Sequence, residues 1–221
     1  MSQTNGVGDG TADGIAGYWN DYAAAYDDEP DHGLGDPTTR EAWRVLLERW
    51  LPAEPSDVAD LACGTGSLTA LVAGLGHRVV GFDLAGNMVE RARAKAAALG
   101  ERVTIRQGDV RMPPLEPASA DVILARHILW TLPDPHTALA RWCALLREGG
   151  RLVLVEGRWW SVGDEGYNDE DRMPWAGGVR AVDLATALEP LVNRIEIVPL
   201  TDPVLWGKEI VDERYLLVAD L

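Results

Sequence analysis

A glycine-rich turn that follows an apolar strand pattern constrains this chain more than any other feature. A helical pattern comes directly after the segment Val58-Ala59-Asp60-Leu61-Ala62-Cys63-Gly64-Thr65-Gly66-Ser67. Glycine has no Cβ, so Gly64 and Gly66 can adopt positive φ and allow a ligand to approach the backbone. The free N–H groups at the start of the following helix favour a polar or anionic group. The turn therefore predicts a ligand site at the end of a β-strand.

A second apolar strand pattern, Val79-Val80-Gly81-Phe82-Asp83, ends in an acid about 20 residues after the turn. This spacing favours a nucleoside, since a carboxylate there can accept hydrogen bonds from both ribose hydroxyls. The dinucleotide fingerprint Gly-x-Gly-x-x-Gly requires a third glycine, where this chain has Thr69. The turn therefore disfavours a nicotinamide cofactor.

These motifs resemble those of the class I S-adenosylmethionine-dependent methyltransferases, and four further segments fit that family in order. They are residues 81–88, 107–110, 121–127 and 146–154, and the resemblance covers roughly residues 15 to 221. It implies S-adenosylmethionine as cofactor and S-adenosylhomocysteine as product. The implied fold is a doubly wound, Rossmann-like α/β domain, whose seven-stranded sheet is mostly parallel with an antiparallel terminal strand.

The resemblance also implies which residues contact the cofactor. Asp83 would bind the ribose, although it could instead cap the helix that begins near Gly86. Asp109 would meet the adenine amino group, although it could instead be a simple turn residue. The complete predicted set is Asp60, Ala62, Gly64, Thr65, Gly66, Asp83, Leu84, Met88, Gly108, Asp109, Val110, Ala125 and Arg126.

Periodicity predicts one domain of alternating strands and helices. We expect residues 1–13 to form a disordered arm, because they offer little to bury. The single methyltransferase domain, 14–221, comprises a helical lid region (14–56), a cofactor-binding core (57–156), an active-site loop (157–178) and a C-terminal helix and hairpin (179–221). Strands are expected near 57–61, 78–82, 102–106, 121–125 and 150–156, and helices near 67–75, 86–99 and 137–147.

Two helices are expected before the core. Tyr18, Tyr22 and Tyr26 follow helical spacing within residues 15–26, and Asp36-Pro37 is a typical helix start. Aromatic residues here and after the strand ends are expected to hold a planar acceptor, with core packing as the alternative. This predicted acceptor-binding set is Tyr18, Trp19, Tyr22, Tyr26, Trp130, Trp159, Trp160 and Trp175.

His127 is the candidate catalytic residue, because it directly follows the predicted fourth strand. It is better placed to accept a proton near the transferred methyl group than His32, His77 or His136. The alternative is a hydrogen-bonded structural histidine. No metal site is expected, since histidines and cysteines are scattered along the chain. We also expect Cys63 and Cys143 to be reduced thiols.

Composition limits the partners of the chain. With 35 acidic and 20 basic residues, its formal charge of −15 disfavours nucleic acid and anionic membranes. No apolar run is long enough to span a bilayer, and we expect a cytoplasmic monomer or homodimer. The predicted activity is methyl transfer to an oxygen or nitrogen of a small, aromatic or heterocyclic molecule, for instance in secondary metabolism. The alternatives are a non-catalytic nucleoside-binding regulator or partner subunit and a nicotinamide oxidoreductase.

Overall fold

A seven-stranded sheet organises the chain in the computed structural model, which describes residues 11–159 and 173–221. The strands are β1 (Asp57–Leu61), β2 (Arg78–Asp83), β3 (Val103–Gln107), β4 (Ala120–Arg126), β5 (Leu146–Arg158), β6 (Arg194–Pro199) and β7 (Glu213–Asp220). Their order is β3-β2-β1-β4-β5-β7-β6. β1 to β5 pair in parallel, whereas β7 is antiparallel to β5 and β6. The predicted fold class is confirmed.

Helices cover both faces of this sheet. They are α1 (Ala12–Tyr22), α2 (Pro30–Gly33), α3 (Pro37–Trp50), α4 (Ser67–Gly74), α5 (Gly86–Ala96), α6 (Pro135–Leu145) and α7 (Ala181–Leu188). Because successive strand residues point to opposite faces, each face has its own core. Leu61 and Ile123 pack with α6 and α7 on one face. Val58 and Leu124 pack with α3 and α4 on the other.

The helix starts follow from local hydrogen bonds. Asp36 caps α3 as predicted, because its Oδ1 accepts from the N–H groups of Thr38 and Thr39, each at 2.9 Å. α1 begins at Ala12, two residues before the expected start of the domain at Gly14. Its start is fixed by Thr11, whose Oγ1 accepts from the N–H of Gly14 at 3.1 Å.

One further expectation about the chain path is wrong. α1 ends at Tyr22, and Tyr26 lies in a separate 3-10 turn, Tyr26–Asp28, so it does not continue that helical face. The predicted C-terminal hairpin is present, since β6 and β7 pair, and their connection contributes Trp206 to the core. The rings of Trp206 and Trp43 pack edge to face, with centroids 5.5 Å apart. Within residues 11–159 and 173–221, no helix has both the length and the apolar character to cross a membrane.

Candidate functional site

A cavity of about 640 Å³, here called the large cavity, lies at the carboxyl ends of β1, β2 and β4. Ligands of open α/β sheets bind beyond this edge of the sheet. Ile15 and Trp19 of α1 line the cavity on the side of the N-terminal segment. It is also lined by eight of the predicted cofactor-binding residues: Ala62, Gly64, Asp83, Leu84, Met88, Asp109, Val110 and Arg126.

A small cavity of about 280 Å³ adjoins the large one, since Tyr26 and Arg126 line both. The predicted residues Asp60 and Thr65 line this small cavity. Asp60 is buried, and its Oδ2 accepts a hydrogen bond from Thr69 Oγ1 at 2.5 Å. Burial raises the pKa of Asp60 to about 6. The glycine turn therefore lies beside two connected spaces.

The two glycines of the turn have different roles in this geometry. Both have positive φ, 55° at Gly64 and 82° at Gly66. A Cβ on Gly64 would lie 3.4 Å from the Tyr26 ring, so the missing side chain lets that ring approach the turn. A Cβ on Gly66 would instead lie 3.0 Å from Cβ of Ala92 in α5. Gly66 is therefore required by helix packing. Three of the predicted cofactor-binding residues line neither cavity: Gly66, Gly108 and Ala125.

Asp83 holds the end of β2 against the glycine turn. Its Oδ2 accepts from the N–H of Gly64 and its Oδ1 from the N–H of Ala85, each at 2.9 Å. Burial raises the pKa of Asp83 to about 6, although the backbone hydrogen bonds oppose this rise. The N-cap position of α5 belongs to Ala85 and not to Asp83. A carboxylate oxygen can accept more than one hydrogen bond, so Asp83 can still bind ribose hydroxyls.

Asp109 is bound to a neighbouring cation. Arg111 Nη2 lies 2.6 Å from Asp109 Oδ2, and both residues line the large cavity. Burial raises the pKa of Asp109, but hydrogen bonds from Arg111 outweigh it, and the net direction is downward. An adenine amino group would therefore share this carboxylate with Arg111.

His127 lies in the large cavity in a left-handed conformation, with φ of 55°. Its N–H donates to the carbonyl of Val155 at 3.0 Å. Its ring packs against Trp159 and Trp206, with centroid distances of 4.7 and 5.9 Å. The buried Nε2 has no hydrogen-bond partner in the described part of the chain. Burial lowers the pKa of His127 well below its ordinary value, so its imidazole is neutral at physiological pH.

The predicted acceptor-binding aromatics do not all reach the large cavity. Trp19 and Tyr26 line it. Trp130 donates from Nε1 to the carbonyl of His127 at 2.8 Å, and Trp159 packs against Trp130 with ring centroids 6.3 Å apart. These residues form an aromatic cluster beside the cavity.

Three of the aromatic predictions do not line the large cavity, although Tyr18 and Tyr22 pack against Trp19, which does. Tyr18 and Tyr22 stack on each other along α1, with centroids 6.4 Å apart. Trp175 packs against His136 at 5.1 Å and adjoins the core of the α6 and α7 face. Trp160 lies outside the described residues, as does most of the predicted active-site loop.

Two residues of α2, Asp31 and His32, lie beside His127, which the sequence did not indicate. One potential ligand atom from each of the three residues lies within 4.8 Å of the other two. His32 Nε2 is 3.7 Å from Asp31 Oδ2. The argument against a metal site assumed that residues scattered in sequence are scattered in space. The fold shows that this assumption is wrong here.

Glu156 is a further functional candidate that sequence reasoning missed. It is fully buried on β5, where its Oε1 accepts from the N–H groups of Ile128 and Leu129 at 3.0 and 3.1 Å. Its Oε2 has no partner among residues 11–159 and 173–221. Burial raises the pKa of Glu156 to about 8. A neutral carboxyl group therefore holds the turn that carries His127.

Lys95 connects the N-terminal segment to the glycine turn. Its Nζ donates to Asp27 Oδ2 at 3.1 Å, to Thr65 Oγ1 at 3.0 Å and to Ser67 Oγ at 2.7 Å. Thr65 Oγ1 also donates to Asp27 Oδ1 at 2.5 Å. This network holds the segment that covers the large cavity against the turn.

Residues 59–154 match the model of a family described as a methyltransferase domain. The match contains the glycine turn, Asp83, Asp109 and His127. Residues 59–154 therefore form a methyltransferase domain, as the sequence motifs predict. The predicted cofactor, S-adenosylmethionine, agrees with the S-adenosylhomocysteine bound in solved structures of this fold.

Curated relatives of this chain include enzymes named for small molecules. Nocamycin O-methyltransferase of Saccharothrix syringae is 35% identical over 131 residues, which is 56% of this chain and 47% of that protein. Demethylmenaquinone methyltransferase of Lactococcus lactis is 34% identical over 121 residues, 52% of this chain and 48% of that protein. The chain thus spans about half the length of these relatives.

The fold is shared with solved methyltransferase structures. One is the 1,6-didemethyltoxoflavin-N1-methyltransferase of Burkholderia thailandensis, solved with 1,6-didemethyltoxoflavin and S-adenosylhomocysteine bound. It superposes with a TM-score of 0.67 and 23% identity, covering 93% of this chain and 88% of that one.

Proposed function

We propose that this protein transfers a methyl group from S-adenosylmethionine to an oxygen or nitrogen of a small aromatic or heterocyclic molecule. The observation that carries the proposal is the large cavity. It joins the glycine turn and Asp83, where the cofactor is expected, to His127 and Trp19 on its other side. Residues expected to bind the cofactor and residues expected to contact the acceptor therefore line one space.

The relatives support this class of acceptor. Two curated relatives are named for nocamycin and demethylmenaquinone, and a structural neighbour holds 1,6-didemethyltoxoflavin. The formal charge of −15 disfavours a polyanionic partner such as nucleic acid. A small cyclic molecule fits both the relatives and the aromatic lining, and secondary metabolism is the proposed setting.

The residues of the cavity fit the cofactor. Gly64 lines the cavity, and the Asp83 carboxylate lines it with acceptor capacity to spare. S-adenosylmethionine, when bound, supplies an already activated methyl group on a positive sulfur. The protein then has to align the acceptor, exclude water and take up a proton. Trp19 and Tyr26 cover the cavity, and neutral His127 accepts a hydrogen bond from the acceptor.

Isothermal titration calorimetry tests the cofactor half of the proposal. We expect S-adenosylmethionine and S-adenosylhomocysteine to bind and NAD not to bind. Binding of NAD alone would favour the nicotinamide oxidoreductase and reject the proposal.

A screen with methyl-labelled S-adenosylmethionine tests the reaction itself. The library contains phenols, aromatic amines and nitrogen heterocycles, and labelled product is expected from at least one class. Tight cofactor binding without transfer to any of them would instead identify a nucleoside-binding regulator.

A further inference from the structure

We propose that His32, supported by Asp31, is a second catalytic residue, and that the reacting oxygen or nitrogen of the acceptor lies between its imidazole and that of His127. This inference rests on the proposed methyltransferase function. The observation behind it is that potential ligand atoms of Asp31, His32 and His127 all lie within 4.8 Å of one another.

The position of His32 is fixed by packing around α2. The Tyr26 ring stacks on the His32 ring, with centroids 4.3 Å apart and an interplanar angle of 15°. Arg126 Nη1 donates to the carbonyl of Asp31 at 2.5 Å. A Cβ on Gly207 would lie 2.5 Å from Cβ of Pro30, so the connection between β6 and β7 presses closely on the helix. The two side chains are therefore held in place beside the cavities.

The spacing of the two imidazoles suits one bridging atom. Two nitrogens up to 4.8 Å apart can be too distant for a direct bond, yet two hydrogen bonds of about 2.8 Å to one atom span that distance. His127 lines the large cavity and His32 the small one, while Tyr26 and Arg126 line both. The two imidazoles therefore line two neighbouring cavities that share Tyr26 and Arg126.

The charges around His32 make it the better proton acceptor. Burial lowers the pKa of His32, and the Arg126 guanidinium lowers it further. The carboxylates of Asp31 and Glu29 and the backbone carbonyl of Tyr26 act in the opposite direction. An imidazolium formed on His32 would thus face a carboxylate at 3.7 Å.

The surroundings of His127 have the opposite effect. Burial lowers the pKa of His127, and Arg126, His32 and Arg214 lower it further. Burial and these three neighbours therefore all disfavour the charged form of the His127 imidazole. His127 therefore orients the acceptor as a neutral group, and the proton is transferred to His32.

The chemical step balances with these groups. The acceptor's oxygen or nitrogen forms a bond to the methyl carbon as the carbon–sulfur bond breaks, and that electron pair remains on the sulfur. The acceptor's O–H or N–H bond breaks, its electron pair stays on the acceptor, and the proton bonds to His32. Asp31 stabilises the resulting imidazolium.

A metal ion explains the same cluster less well. Distance does not decide between the two interpretations, since the three ligand atoms all lie within 4.8 Å of one another. The Arg126 guanidinium, however, places a permanent positive charge beside Asp31. We therefore favour proton transfer and include zinc binding in the test.

NMR titration of the histidine side chains, with S-adenosylhomocysteine present, tests the cluster without any acceptor. We expect Asp31→Asn to lower the pKa of His32, and His32→Ala to raise the pKa of His127 because a neighbouring cation is lost. His136→Ala is the matched control and should change neither value, since His136 is exposed and packs on Trp175. The proposal is overturned if the pKa of His32 is unchanged in Asp31→Asn and the pKa of His127 is unchanged in His32→Ala.

Turnover with an acceptor from the screen tests the catalytic role. We expect His32→Ala to lower kcat by about 10²–10⁴-fold with unchanged affinity for S-adenosylhomocysteine. In Asp31→Asn the acidic limb of the kcat profile should shift to lower pH, whereas a merely structural role would leave its position unchanged.

Other results would overturn the inference and leave the proposed function standing. If the acidic limb disappears in His127→Ala and does not move in Asp31→Asn, His127 alone is the base. If Zn²⁺ binds the wild type but not His32→Ala, and a chelator abolishes turnover, the cluster is a metal site. By contrast, failure of S-adenosylhomocysteine to bind the wild type would reject the proposed function itself.

Discussion

Replacing Glu156 by glutamine should remove a pH-dependent loss of stability. Burial raises the pKa of Glu156 to about 8, against an ordinary value of 4.5. Between these values the native state keeps a proton that the unfolded state has lost. The contribution of Glu156 to the free energy of unfolding is therefore fully present below pH 4.5 and decreases as pH rises through about 8.

The size of the effect follows from the two pKa values. One pKa unit corresponds to about 1.4 kcal/mol, so the difference between 4.5 and about 8 corresponds to about 5 kcal/mol. Glu156→Gln keeps an oxygen that can accept from the N–H groups of Ile128 and Leu129. Because glutamine does not titrate, the variant should lose this dependence and gain stability relative to wild type as pH rises.

Urea denaturation at pH 5.5 and 8.5 measures most of this difference, about 3 kcal/mol, since the window begins one pH unit above 4.5. Buried histidines with lowered pKa contribute the opposite slope, but they are common to both proteins and cancel in the comparison. Glu148→Gln is the matched control, since Glu148 is an exposed glutamate on the same strand. If Glu156→Gln and wild type change in parallel with pH, the carboxyl group is already ionised in the native state and our reasoning is wrong.

Three further predictions concern the cofactor side. Asp83→Ala should weaken S-adenosylhomocysteine binding by about 1.5–3 kcal/mol in calorimetry. The affinity of the wild type should also fall below pH of about 6, as the Asp83 carboxylate becomes protonated. If the variant binds as tightly as the wild type, the ribose assignment is contradicted. Gly66→Ala should destabilise the fold by about 1–3 kcal/mol through φ strain and contact with α5. Gly74→Ala is the control, since Gly74 has open space around it, and it should be neutral or stabilising. If both variants change the free energy of unfolding equally, the packing role of Gly66 is refuted. Lys95→Met should increase hydrogen exchange in residues 12–28 and leave the strands unchanged, and a uniform increase would count against its linking role.

The sheet was predictable because its signals are local. Apolar runs ending in glycine or acid mark each strand, and the helices between them have regular apolar spacing. Asp36-Pro37 likewise gave the start of α3 without tertiary information. The burial of Trp206 was not predictable, because this residue stands in the irregular connection between β6 and β7 and is buried by contact with Trp43.

The cofactor half of the site was more predictable than the acceptor half. The turn residues and Asp83 carry a motif with a physical reason for its spacing. By contrast, His32 and His127 meet only through packing of α2 against the end of β4. One signal was available for Glu156, because a single acid ends the apolar run of β5, and a charged residue there demands a partner.

Several polar exceptions to the apolar core lie together at the ends of β4 and β5. A buried glutamate, a histidine with φ of 55° and a second histidine paired with an acid are all found there. Each costs folding free energy, because burial opposes charge and a left-handed backbone strains a residue with a side chain. The core on either face of the sheet has the regular apolar pattern that folding favours. Departures from that pattern are expected at functional sites. Their grouping around His127 therefore favours this end of the sheet as the place of methyl transfer.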